Sequence, residues 1–90
     1  MEAFEAARNY IRLHAVGGAR PVIRERISVL AEQLDPARFV RIHRGTIVNI
    51  ARIKSVEPWF SGDLIAHMVS GAQFRISRNF KALFRTRVSP

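Results

Sequence analysis

The chain has 90 residues, of which 48% are hydrophobic, and it has no cysteine. This length supports one domain with a single core. The lack of cysteine excludes disulfides, thiolate zinc sites and cysteine nucleophiles, and it fits a cytoplasmic protein. The apolar runs are far too short to span a bilayer, and the acidic N-terminus lacks the apolar segment of a signal peptide. No membrane contact is therefore expected.

The net charge of +8 comes from 15 basic and seven acidic residues, and 13 of the basic residues are arginine. Residues 1–37 are neutral overall, whereas residues 38–90 set ten basic residues against Glu57 and Asp63. A surface of this sign attracts polyanions. The planar guanidinium of arginine also pairs bidentately with phosphate or with a guanine edge. On charge alone, a basic protein without a nucleic-acid role is the alternative.

The first elements in the chain alternate by twos, as strands do. Residues 9–16 predict a half-buried strand, the Gly-Gly pair at 17–18 a turn, and residues 20–23 a returning partner strand. The apolar period then changes to three and four residues over 27–34, which predicts a short helix. The Asp-Pro pair at 35–36 ends that helix.

The second half returns to short strands and ends on a helix. Alternation and turn residues predict strands at 39–43, 46–48, 64–69 and 74–76. Ser77 is a candidate N-cap of a short C-terminal helix. The residues expected to face the core from the two helices are Ile27, Leu30, Leu34, Phe80, Leu83 and Phe84. The fold class is thus mainly β, with mostly antiparallel strands, one short internal helix and a short C-terminal helix. Nothing resembles a helix-turn-helix pair, so nucleic-acid reading would come from loops or strand ends.

Three stretches resemble one known family. FVRIHRGTIVN at 39–49 is similar to the pattern F-x-R-I-H-R-S-x-I-V-N, and GAQFRISRNF at 71–80 is similar to G-x-x-[LI]-x-[VLI]-S-R-x-[YF]. FEAARNYIRLH at 4–14 is similar to I-E-A-x-x-N-Y-V-x-[LI]-H. The three blocks follow one another along the chain in the family's order and at its spacing. The chain therefore resembles the LytTR family of bacterial DNA-binding domains. The family fold implied is an elongated arrangement of small β-sheets whose loops and strand ends enter successive major grooves.

The chain departs from the family pattern in two places. Family members usually begin one or two strands earlier, so residues 1–90 are expected to form a single, N-terminally short domain with an open sheet edge. Gly45 replaces the usual serine, which removes a hydroxyl that could contact phosphate and loosens the loop.

The resemblance implies DNA-contacting residues in three loops. Arg44 falls in the central contacting loop, and Arg78 falls at the position that reads a base edge. Asn79 can pair with adenine or phosphate, or it can simply start a helix. Asn9 and Tyr10 match the first contacting loop, although Tyr10 could equally be a half-buried strand aromatic.

His43 shares a strand face with Arg41, and both are counted among the expected DNA-binding residues. Neither His14 nor His67 forms a metal-ligand spacing with His43, which is therefore interpreted as a structural histidine near the DNA face. No metal, cofactor or catalytic residue is predicted. Asn49 is predicted to be a turn residue or a backbone-capping residue. Phosphate contacts are expected from a set of basic residues: Arg41, Arg52, Lys54, Arg75 and Lys81.

The predicted function is sequence-specific binding of double-stranded DNA by a bacterial transcription regulator, without enzymatic activity. The family implies a direct-repeat operator, with a homodimer on DNA as a further expectation. One alternative is an RNA or single-strand binder, which needs exposed aromatics among basic residues. Most aromatics, including Trp59 beside Phe60, are instead expected to pack. The other alternative is an interaction or dimerisation module.

Overall fold

Eight strands and two short helices make up the part of the chain that the computed structural model describes, residues 1–88. In chain order they are β1 (Ala3–Ala7), β2 (Tyr10–His14), β3 (Val22–Ile23), α1 (Ile27–Gln33), β4 (Phe39–His43), β5 (Thr46–Asn49), β6 (Ile53–Pro58), β7 (Leu64–Met68), β8 (Gln73–Ile76) and α2 (Lys81–Val88). Single 3-10 turns lie at Ile50–Arg52, Phe60–Gly62 and Arg78–Phe80. The mainly β class, with one internal and one C-terminal helix, is confirmed.

β1 is the central strand of a five-stranded antiparallel sheet with the order β3-β2-β1-β5-β4. Phe4 in β1 lies opposite Leu13 on one side and Ile47 on the other. The first strand therefore has hydrogen-bonded partners along both edges and leaves no open edge of its own. At the rims of the sheet, β3 is only two residues long and β4 packs against α2. Short or covered rims offer little backbone to a further strand.

The second sheet has the antiparallel order β6-β7-β8. The β7–β8 hairpin was predicted, whereas β6 was not. β6 carries the polar residues Lys54, Ser55 and Glu57, and all of it beyond its first residue is exposed. An edge strand without a buried face lacks the period-two signal that identifies strands in a sequence.

Alternation along β1 divides the interior into two apolar clusters, one on each face of the five-stranded sheet. Phe4 lies on the face that packs against α1, together with Ile11, Ile27, Ile47 and partly buried neighbours. Ala3 lies on the opposite face, where the second sheet and α2 complete the larger cluster. The buried members of that cluster are Ala3, Val40, Ile42, Val48, Ala66, Met68, Phe74, Ile76 and Phe84. The prediction that Leu83 belongs to the core is wrong, because it is 37% exposed while the next residue is buried.

The stacking of α1, the first sheet and the second sheet gives the described residues extents of 31 × 26 × 25 Å. The elongated outline implied by the family resemblance is therefore not seen. Residues of both sheets instead contribute to one core cluster.

Candidate nucleic-acid interface

Two hairpin turns lie side by side where the strands of the five-stranded sheet end. Because β1 and β5 are antiparallel, the end of β1 meets the start of β5, and Ala6 N–H donates to the Gly45 carbonyl at 2.8 Å. Arg8 and Asn9 form the β1–β2 turn, and Arg44 precedes Gly45 in the β4–β5 turn. Arg8 has a φ of 59°, a left-handed conformation that is uncommon for a residue with a side chain. The sheet thus brings together two of the three loops named from the sequence.

A third segment, residues 24–26, follows β3 and lies at the same end of the sheet. Ile23 pairs with Ile11 in an antiparallel register, so the chain leaving β3 returns towards the start of β2. An open cleft of about 340 Å³ is lined there by Asn9, Arg24, Glu25 and Arg26. Neither arginine was expected at the interface, because residues 1–37 are electrically neutral overall. Only the strand register shows that they lie beside Asn9.

The fourth segment, residues 77–79, follows β8 and adjoins β4. Ser77 N–H donates to the Ile42 carbonyl at 2.8 Å, two residues before Arg44. The Ser77 hydroxyl oxygen accepts from Asn79 N–H at 3.4 Å, so the predicted N-cap is confirmed, although it caps a 3-10 turn that then runs into α2. The Arg78 and Asn79 side chains are exposed immediately after this cap.

Arg41 connects the second and fourth segments. Its guanidinium donates to the Arg44 carbonyl and lies 5.8 Å from the centre of the Phe80 ring. The side chain is half-buried between the two turns. Arg41 was expected to contact DNA. In this position, it fixes the β4–β5 turn against the 3-10 turn that carries Arg78.

His43 supports the same turn through a second hydrogen bond. Its Nδ1 accepts from Gly45 N–H at 3.1 Å, as a histidine with a structural role would. Another histidine, His14, is buried, lies with Nε2 2.5 Å from the Glu5 carboxylate and packs edge-on against Phe74. Across residues 1–88, no three His, Asp or Glu side chains form a group that could hold a metal ion.

The β6–β7 loop flanks Arg78. Asp63 Oδ1 accepts from Arg78 N–H at 2.8 Å, and an atom at the Cβ position of Gly62 would lie 3.8 Å from Arg78 Cβ. The loop exposes Trp59 by 43% and Phe60 by 73%. Their rings pack on each other with centroids 4.9 Å apart. Trp59 thus packs on its neighbour, as predicted, but the pair lies at the surface rather than in the core.

We call segments 8–9, 24–26, 44–45 and 77–79 the loop surface. Its five arginines are all exposed: Arg8, Arg24, Arg26, Arg44 and Arg78. The ion pairs found within residues 1–88 engage other basic side chains, so these five guanidinium groups keep their full charge toward solvent. A cluster of unneutralised arginines on turns held by sheet hydrogen bonds can bind a polyanion.

The opposite end of β1 holds a contrasting group, which we call the junction: Glu2, Arg52 and Ser70. The Glu2 carboxylate is buried, accepts hydrogen bonds from the Ser70 hydroxyl and N–H, and lies 3.5 Å from Arg52 Nε. Arg52 was expected among the phosphate contacts, but it is paired with this buried acid. Nearby, the Asn49 side chain accepts from Ala51 N–H, which confirms its predicted capping role.

Comparisons with known proteins agree with this architecture. A family model, the LytTr DNA-binding domain, matches residues 1–89. The chain belongs to this family. A solved LytTr DNA-binding domain of a methyl-accepting/DNA response regulator from Bacillus cereus superposes with a TM-score of 0.90, at 21% identity, over 99% of this chain and 81% of that one. At that identity, the likeness shows the fold.

Two of the relatives are named for sensory transduction and for transcriptional regulation. The sensory transduction protein LytR of Staphylococcus haemolyticus is 38% identical over 61 residues, covering 68% of this chain and 24% of that protein. The transcriptional regulatory protein LytR of Staphylococcus aureus strain MW2 is 33% identical over 57 residues, covering 63% of this chain and 23% of that protein. The chain thus spans about a quarter of the length of these relatives. Within residues 1–88, no helix is long and apolar enough to cross a membrane.

Proposed function

We propose that this chain is the part of a cytoplasmic transcription regulator that binds double-stranded DNA in a sequence-specific manner through the loop surface. The observation that carries the proposal is the convergence of four segments, distant in sequence, on turns that present five unpaired arginines. Membership of a family of DNA-binding domains supports the same partner. The family is one of DNA-binding domains of transcription regulators, and we propose no catalytic step.

Direct reading of bases falls to three residues of the loop surface. Arg78, exposed after a capped and hydrogen-bonded backbone, is suited to bidentate pairing with guanine O6 and N7. Arg44 projects from a tight turn and can reach a base edge or a phosphate. Asn79 lies beside Arg78 and can pair with adenine N6 and N7.

The remaining predicted residues position or extend these contacts. Asn9 and the 46%-exposed Tyr10 can bond to phosphate at the β1–β2 turn. Arg41 and His43 hold the β4–β5 turn through the Arg44 carbonyl and the Gly45 N–H, so we assign them mainly to positioning. This division follows the general rule that phosphate contacts set register while base-edge contacts specify sequence.

The proposed operator is a direct repeat occupied by two copies of the domain. Copies bound to direct repeats face the same way along the duplex, so half-sites should be spaced by about one helical turn, roughly 10–10.5 base pairs, or a multiple of it. Footprinting of the purified domain on a selected site would show two protected segments at that spacing. Protection of a single segment at saturation would limit the proposal to one domain on one site.

The test of the main proposal is selection of bound sequences from a random duplex pool at near-physiological salt. We expect a common motif, and a log–log slope of affinity against salt of roughly −4 to −7, for about five to eight neutralised phosphates. Enrichment without a motif would mean that the domain attracts DNA without reading it. A flat salt response would remove the polyanion role altogether.

A single-stranded partner is the second candidate, because Tyr10, Trp59 and Phe60 are exposed beside basic residues. Single-strand binders stack bases on such rings. Here, however, Tyr10 lies on a strand of the first sheet, whereas the other two rings lie on the β6–β7 loop of the second sheet, which disfavours a shared stacking surface. Competition between the selected duplex and its separated strands distinguishes the two partners.

A further inference from the structure

The β6–β7 loop carries the most exposed aromatic side chain described in the chain, and the function proposed above leaves it without a role. Phe60 is 73% exposed and Trp59 packs edge-on against it. Exposure of two large apolar rings to water is unfavourable for an isolated protein. An exposed apolar patch beside a binding site therefore indicates a contact surface.

The loop is held in a fixed shape by its own hydrogen bonds. Trp59 N–H donates to the Asp63 carbonyl at 2.8 Å, and Asp63 N–H donates back to the Phe60 carbonyl at 3.0 Å. Ser61 and Gly62 adopt left-handed backbone conformations, with φ values of 56° and 85°, to close the turn. The ring of Phe60 is therefore presented from a closed turn rather than from an open loop.

The same loop is tied directly to Arg78. Asp63 accepts from Arg78 N–H at 2.8 Å, and an atom at the Cβ position of Gly62 would lie within 4.0 Å of the Arg78 side-chain stem. A duplex whose groove admits the guanidinium of Arg78 must therefore also pass close to this loop. If Arg78 reads the major groove, Phe60 on this loop faces the edges of adjacent base pairs in the same groove.

We propose that Phe60 is a specificity-determining residue that packs against the 5-methyl group of a thymine next to the base read by Arg78, with Trp59 as its positioning residue. The thymine methyl is the apolar group that base edges offer in the major groove, and phenylalanine is one of the side chains that contacts it. Charge complementarity supports a nucleic-acid partner, since the loop is hydrogen-bonded to the exposed Arg78 on a net-basic chain. This inference rests on the proposed duplex binding.

Thymine-to-deoxyuridine substitution tests this contact because it removes the methyl group and leaves every hydrogen-bonding group of the base in place. Each thymine of the selected duplex is replaced in turn, and affinity is measured for the wild-type domain and for Phe60→Ala. We expect one replacement, within about two base pairs of the Arg78-dependent base, to weaken wild-type binding about fourfold, the value of one buried methyl group. The same replacement should leave the affinity of Phe60→Ala unchanged.

Val69→Ala is the matched control, since Val69 is also an exposed apolar residue but lies beyond the other end of β7. It should retain the fourfold methyl effect. The proposal would be overturned, with duplex binding left intact, if deoxyuridine weakened the wild type and Phe60→Ala equally. A selected site without thymine near that base would overturn it as well. A change of oligomeric state in Phe60→Ala, seen by sedimentation, would assign the aromatic pair to self-association instead. Failure of the wild type to bind any selected duplex would remove both proposals.

Discussion

Arginine side chains have opposite environments at the two ends of β1. At the junction, Arg52 lies 3.5 Å from the buried Glu2 carboxylate, which also accepts two hydrogen bonds from Ser70. At the loop surface, Arg8 is exposed on a two-residue turn and takes no part in the ion pairs of residues 1–88. One strand thus separates a basic group that serves the fold from one that is available to a partner.

The position of the acids decides this difference. A buried carboxylate must be compensated by donors, so Glu2 engages Ser70 and Arg52 and thereby links the first sheet to the β7–β8 turn. The nearest acid within the loop surface, Glu25, is bonded to Arg26 through the backbone N–H rather than through the guanidinium. Counting charges along the sequence could not distinguish these two situations.

Removal of the junction carboxylate should produce the largest effect. Glu2→Ala leaves the Ser70 donors and Arg52 without their acceptor, and we expect the free energy of unfolding to fall by about 2–4 kcal/mol. Urea denaturation followed by circular dichroism measures this change.

Glu32→Ala is the matched control, because Glu32 is exposed on α1, and it should change stability by less than about 0.5 kcal/mol. Where both variants remain folded, their salt slopes for DNA binding should equal that of the wild type. A loss below about 1 kcal/mol for Glu2→Ala would mean that the junction is not a structural centre. A changed slope would mean that it takes part in binding.

Within the loop surface, Arg78 should carry more sequence discrimination than any basic residue outside it. Arg78→Ala removes a bidentate contact worth roughly 1–3 kcal/mol, so preference at one operator position should relax. Lys54, exposed on β6 near the end that adjoins the junction, should meet phosphate at most. Lys54→Ala should weaken all sequences equally and make the salt slope shallower by no more than about one unit.

Competitive binding of both variants to the selected site and its single-base mutants measures the difference. If Arg78→Ala lowers affinity uniformly and keeps every base preference, Arg78 is not a base-reading residue. Arg44, on the adjoining turn, then becomes the leading candidate for direct reading.

The arginines that flank β3 give a finer comparison. Arg24 follows β3 and lines the cleft with Asn9, whereas Arg20 precedes β3 near the Gly17–Gly18 turn and bonds to the neighbouring Ala19 carbonyl. We expect Arg24→Ala to make the salt slope shallower by about one unit, because one phosphate contact is lost. Arg20→Ala should leave the slope unchanged. Equal effects would mean that the domain responds to its total charge and not to the loop surface.

Local signals allowed much of the fold to be predicted. The Asp35–Pro36 stop is visible as an Asp35 side chain that accepts from Ala37 N–H at 2.9 Å just after α1. The Ser77 cap was likewise correct. Such features depend on residues within one turn of each other, where side-chain chemistry fixes backbone geometry.

Non-local features could not be read in the same way. The order β3-β2-β1-β5-β4 brings Arg24 beside Asn9 and Gly45 beside Ala6, and these neighbours depend on strand register. Leu83 was misplaced because helical spacing marks a face without showing how far the neighbouring strand covers it. The exposure of Phe60 depends on the left-handed turn that follows it, a conformation that sequence patterns rarely specify.

Substitutions of two glycines, one from each region, should change the stability of the fold with opposite signs. Gly45 in the loop surface has no positive φ, and an added Cβ would meet His43 Nδ1 at 3.7 Å and Ala6 Cβ at 3.8 Å, which are ordinary contacts. Gly45→Ala should therefore stabilise the fold by roughly 0.4–1 kcal/mol, by restricting the unfolded chain. Gly71, in the β7–β8 turn beside the junction, has a φ of 96°, so Gly71→Ala should destabilise it by about 1–2 kcal/mol. Thermal unfolding of both variants measures the difference.

Gly45→Ser adds a separate measurement, of DNA affinity. The serine variant should match the alanine variant in stability but bind the selected duplex more tightly, since its hydroxyl can donate to phosphate. Equal affinities for the alanine and serine variants would show that the turn gains rigidity and no DNA contact.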